Sequence, residues 1–98
     1  MNKLVFVSFD QHPDYKKHKE FALKHGLEFK NRTSSSLEEI KFCAKYKTIV
    51  LPQLIVFKKG KYVCRYEFWP SEETLEAARN DDFSLLNVEN PCYVSDSQ

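Results

Sequence analysis

The sequence predicts an α/β domain: a central mixed four-stranded sheet flanked by three helices, in the order βαβαββα. Three observations carry this. Short apolar, β-branched runs at Leu4–Phe9 and Leu54–Phe57 read as buried strands. Segments with helical spacing and recognisable ends separate or follow them. A Lys58-Lys59-Gly60-Lys61 turn makes a hairpin into a further strand. Two passages that alternate strand and helix, closed by a hairpin and a last helix, suit one sheet with helices packed against it.

The first strand, Leu4–Phe9, is followed by a loop at Asp10-Gln11-His12. Pro13 suits a first helical position and Gly26 a C-terminal stop, which predicts a helix over Pro13–His25. Its apolar stripe is Tyr15, His18, Phe21, Ala22 and His25, while Lys16, Lys17, Lys19 and Lys24 face water. Leu27-Glu28-Phe29 opens a second strand that fades into Arg32-Thr33-Ser34-Ser35. Ser36 with Glu39 fits a capping box, starting a helix to about Lys47 with Leu37, Ile40, Cys43 and Ala44 on one face. Thr48-Ile49-Val50-Leu51 then runs into Pro52. Proline cannot donate to a sheet ladder, so it marks the start of the strand behind Gln53 and not its middle. In the hairpin's second strand, Tyr62–Phe68, alternation puts Tyr62, Cys64 and Tyr66 on one side and Val63 and Arg65 on the other. Ser71 caps a last helix, with Glu72 and Glu73 in the first turn, where the helix dipole favours acids; it ends near Asn80. Residues 81–98 are less regular.

At 98 residues the chain is one domain, just large enough to bury its own core. Two glycines leave no room for a phosphate-cradling glycine loop. No apolar run approaches the ~20 residues of a membrane span. The start, MNKLVFVSF, is too short in apolar length for a signal peptide, so a cytoplasmic location is expected. The net charge of +1 is unevenly spread. Residues 1–65 hold fourteen Lys/Arg against six Asp/Glu, and residues 66–98 one Arg against eight acids. That asymmetry keeps a nucleic-acid face open as a reading, although solvated helix faces explain it more simply. Three cysteines, Cys43, Cys64 and Cys92, have neither CxxC nor zinc-ligand spacing. Cys43 and Cys64 read as core residues and Cys92 as a more exposed tail thiol. A Cys43–Cys64 pair requires that both face the same side of the sheet.

His12-Pro13-Asp14-Tyr15, followed by eleven residues ending in Gly26, together with Thr48-Ile49-Val50-Leu51-Pro52-Gln53 and Phe68-Trp69-Pro70-Ser71, resembles the thioredoxin/glutaredoxin superfamily over residues 3–80. The resemblance implies a thioredoxin-like fold in residues 1–80, with 81–98 as a C-terminal extension. It also implies a cis peptide bond at Leu51–Pro52, facing the active-site loop. HPDY stands where a glutaredoxin-like member carries CPxC, so His12 and Tyr15 replace the two cysteines. Imidazole and phenol form no disulfide, and thiol–disulfide exchange needs a thiolate. Ordinary glutaredoxin chemistry and cysteine-ligated iron–sulfur binding are therefore lost at this position.

The leading expectation is a redox-inactive binding module, not an enzyme. It engages a protein or peptide partner through His12, Pro13, Asp14, Tyr15, Leu51, Pro52 and Trp69. In the family the backbone before the cis proline pairs with an extended peptide or with glutathione, and main-chain pairing needs no thiol. Such a derivative suits a virus or mobile element that engages a host enzyme. The alternatives are atypical thiol-redox or glutathione-binding behaviour through Cys43, Cys64 or Cys92, and nucleic-acid binding by the basic residues 1–65. No catalytic residue, cofactor or metal is assigned. His12, His18 and His25 lack the i, i+4 spacing of a helical metal pair, and His18 and His25 read as packing residues.

Overall fold

The computed structural model describes residues 2–48, 51–67 and 69–82. Its elements run β1 (Lys3–Ser8), α1 (Tyr15–Lys24), β2 (Glu28–Asn31), α2 (Leu37–Lys45), β3 (Gln53–Lys58), β4 (Lys61–Tyr66) and α3 (Glu72–Arg79). The four strands form one sheet in the order β2-β1-β3-β4. β2 lies parallel to β1, while β3 runs antiparallel to β1 and β4 antiparallel to β3. The mixed sheet and the βαβαββα order match the sequence expectation.

The period of two along a strand divides the core. Leu4 and Phe6 of β1 join Leu54 and Val56 of β3 beneath Ala22 of α1 and Leu75 and Ala78 of α3. The intervening Val5 and Val7, with Ile55 and Phe57, face the other way and pack against Cys43 of α2. Both faces of β1 and β3 are covered, so these strands are continuous apolar runs with no polar alternation.

Several local expectations change. Helix α1 begins at Tyr15, with Asp14 as its N-cap residue and Pro13 in the preceding turn. Ser36 is the N-cap of α2 but makes no side-chain capping bond. The Glu39 carboxylate instead accepts the Asn31 amide at 2.6 Å, tying α2 to the end of β2. Leu37 and Ile40 do not face the core: they are 65% and 46% exposed. The face of α2 that meets the sheet carries Phe42, Cys43 and Tyr46, because the rings of Phe42 and Tyr46 pack on Phe57.

In β4, a bulge opposite Val56/Phe57 leaves Val63 as an extra residue, with Cys64 facing Val56 and Tyr62 facing Phe57. One extra residue reverses the side on which every following side chain emerges. Tyr62 therefore packs with Phe57 and stacks on Tyr46, whereas Cys64 and Tyr66 enter the opposite layer. The same shift rules out a Cys43–Cys64 disulfide, since the two thiols are buried on opposite faces of the sheet.

Ser71 caps α3 as expected, its hydroxyl accepting the Thr74 amide at 3.2 Å. The end of α1 is held from across the fold by the Arg79 guanidinium, which donates to the His25 carbonyl. Gly26 then turns the chain at φ +65°, a region where a Cβ meets its own backbone. An added Cβ would have only ordinary contact with Arg79 at 4.0 Å. Gly26→Ala should therefore cost about 1 kcal/mol through backbone strain alone, measurable by chemical denaturation.

Asp81 accepts from Lys58 Nζ at 2.5 Å and from Asn2 Nδ2 at 2.8 Å, so the chain just past α3 is tied to the start of the domain. Cys92 and the apolar residues Phe83, Leu85, Leu86 and Val88 lie outside the described residues, as do Ile49, Val50 and Phe68. Among the described residues no helix is long and apolar enough to cross a membrane.

Candidate functional site

Strand register gathers the predicted site at one end of the sheet. β1 leaves the sheet at Ser8, and its neighbour β3 enters at Gln53, which pairs with Val7. Leu51 and Pro52 therefore adjoin the end from which the 9–14 loop departs, and the Leu51–Pro52 peptide is cis. β2 ends there too, with Ser8 opposite Asn31. β4 also finishes at this end, where Tyr66 pairs with Leu54, so the chain re-emerges towards Trp69 nearby. Central strands surrounded by departing loops are a common place for an α/β sheet to bind.

The loop after β1 is tightly turned. The His12 amide donates to the Phe9 carbonyl at 2.9 Å and the Tyr15 amide to the His12 carbonyl at 3.0 Å. His12 Nδ1 accepts the Asp14 amide at 3.0 Å. The imidazole thus holds a turn before the helix and is half-buried. A neighbouring loop is bound to it, since the Thr33 hydroxyl donates to Asp10 Oδ1 at 2.8 Å. The Arg32 guanidinium lies over the Phe9 ring at 5.6 Å.

Beneath this loop sits His18, which is 1% exposed. Its Nδ1 is 2.7 Å from the Ser8 hydroxyl, and its Nε2 has no hydrogen-bond partner among the described residues. The ring is packed by His12 at 4.6 Å, Trp69 at 4.8 Å and Phe6 at 5.6 Å between centroids. Burial, followed by the neighbouring His12, lowers the His18 pKa, with the Asp14 charge opposing them. Burial, then the charges of Asp10 and Glu39, raises that of the Tyr15 phenol. Tyr15 therefore offers a neutral ring, packed on Phe29 at 5.7 Å, and no nucleophile.

His12, Asp14, His18 and Trp69 form one neighbourhood, whereas Leu51 packs into the layer beneath α2. Sequence reasoning passed over His18 as a site residue, although it correctly expected a packing histidine. The overlooked signal was Asp14-x-x-x-His18, a carboxylate and an imidazole one helical turn apart. His25 stands elsewhere, with Nε2 3.6 Å from the Glu72 carboxylate.

No family model matches the chain, and no curated protein matches it. Among solved structures, thioredoxin 1 from the thermophilic eubacterium Thermosipho africanus superposes with a TM-score of 0.52. The match covers 87% of this chain and 98% of that one, at 13% sequence identity. The fold is thioredoxin-like. In this thioredoxin-like chain the loop between β1 and α1 carries HPDY, while the two described cysteines lie in regular elements, Cys43 on the sheet-facing side of α2 and Cys64 within β4. Both are buried, so neither offers a solvent-facing nucleophile.

Proposed function

We propose that this protein is a thioredoxin-fold binding module that engages an extended peptide segment of a partner protein. The contact surface is the sheet end formed by His12, Pro13, Asp14, Tyr15, Leu51, Pro52 and Trp69. One observation carries the reading: the loop with HPDY, which holds no cysteine, and the Leu51–Pro52 turn lie together at one end of the sheet. Main-chain pairing to an extended segment depends on exposed backbone and not on a thiol. Side-chain anchors stand beside it. Trp69 is 39% exposed although its ring packs on His18 and Phe21, which makes it a braced aromatic surface. Aromatic residues fixed in this way carry a large share of interface energy.

The test is a peptide-display selection on the native chain, followed by amide chemical-shift mapping of the selected peptide. Shifts should cluster on residues 9–15, 51–53 and 69. Tyr15→Ala and Trp69→Ala should each weaken the selected peptide by about tenfold or more, since ~1.4 kcal/mol is tenfold. Unchanged affinity in both variants, with shifts on another face, would sink the reading.

A further inference from the structure

We propose that His12, Asp14 and His18 form a binding site for a divalent transition-metal ion of the zinc class. One ligand atom from each lies within 4.8 Å of the others. Two imidazoles and a carboxylate are a common donor set for such ions, which accept nitrogen and oxygen at three protein positions and water at another.

The most informative atom is His18 Nε2. It is buried without a hydrogen-bond partner among the described residues, whereas most buried polar atoms in folded proteins are paired. The Ser8 hydroxyl at Nδ1 explains how the ring would be prepared. When Nδ1–H donates to that oxygen, the remaining lone pair is on Nε2, the arrangement seen when an outer hydrogen bond orients a metal-binding histidine. Phe6 and Trp69 hold the ring edge-on, so this ligand is fixed before an ion arrives.

His12 and Asp14 supply the adjustable side. A tetrahedral ion with bonds of about 2.0–2.1 Å sets its ligand atoms ~3.4 Å apart, so the two loop side chains close on the fixed His18. Neutral His12 has one lone pair and now gives it to the Asp14 amide. Coordination exchanges that part-buried hydrogen bond for the metal bond. Asp14 also gives up a weak, exposed ion pair with Lys17, whose Nζ is 4.0 Å away. The positive end of the α1 dipole opposes a cation here; the charge of Asp14, with that of Asp10 in the same loop, offsets it.

This inference stands apart from the partner reading. A peptide-binding face without the site binds no ion, and the site binds its ion whether or not a partner is found. The test is titration of the chelator-treated native chain with Co²⁺, then displacement by Zn²⁺. Expected are one equivalent bound, visible d–d absorption of a tetrahedral nitrogen/oxygen site, and quenching of Trp69, the single tryptophan. His12→Ala and Asp14→Asn change loop side chains outside the buried core and should each weaken binding by more than about tenfold, while Ser8→Ala should weaken it about 10–100-fold. His25→Ala should leave it unchanged. Absence of binding, a thiolate-to-cobalt charge-transfer band, or affinity insensitive to both His12→Ala and Asp14→Asn overturns the proposal.

Discussion

Phe6→Ala should destabilise the protein by about 3–5 kcal/mol, the range for removing a fully buried aromatic ring. Phe6 is 0% exposed and lies on β1, where it pairs with Phe29 of β2 and Leu54 of β3. Its ring meets Phe21 at 5.5 Å and His18 at 5.6 Å between centroids. A central strand covered on both faces cannot collapse into the space an alanine leaves, so the cavity cost adds to the lost burial. Domains of this size have about 5–15 kcal/mol in total, so the variant should sit close to its unfolding transition. Urea denaturation would show this as a lower midpoint at unchanged slope. Leu23→Ala provides the contrast, because Leu23 is 74% exposed on α1 and its loss should stay within about 0.5 kcal/mol. Equal effects from the two variants would contradict the division of the core described above.

The strands were legible because burial on both faces removes polar residues from them, and Pro52 marks where the third begins. The loop of the site was legible for a different reason: Pro13 and Gly26 fix its place between β1 and the end of α1. What the sequence left undetermined depends on rotation and register. Leu37 and Ile40 are as apolar as Phe42 and Tyr46, and helical spacing alone does not say which pair meets the sheet. Aromatic packing on Phe57 decides it. The bulge at Val63 has no glycine or proline to announce it, so simple alternation misplaced Tyr62. His18 shows the same limit at the site. A histidine on an apolar stripe reads as packing, which it is. Only the return of the loop over the helix shows that His12 and Asp14 each bring a ligand atom within 4.8 Å of one on this ring.

Ser8→Ala should cost about 1–3 kcal/mol, more than the loss of an average hydrogen bond, because it strands a buried partner. Ser8 is 0% exposed and its hydroxyl stands 2.7 Å from His18 Nδ1. Since His18 Nε2 already has no partner among the described residues, the single change leaves neither ring nitrogen satisfied. Removing both polar groups should be milder: Ser8→Ala with His18→Leu leaves no orphan and should recover most of the loss. Acidity separates this account from simple packing. Burial and His12 depress the His18 pKa below its ordinary 6.5, so the folded state prefers the neutral ring and the unfolded state binds the proton more readily. The stability held by neutral His18 is therefore complete above pH 6.5 and is lost as pH falls through the lower folded value. Urea midpoints measured across that window should fall for the native chain and flatten in His18→Leu. A slope that persists in His18→Leu would assign the acid sensitivity to other groups, and a double-variant loss equal to the sum of the Ser8→Ala and His18→Leu losses would show that the hydroxyl–imidazole contact carries no coupling.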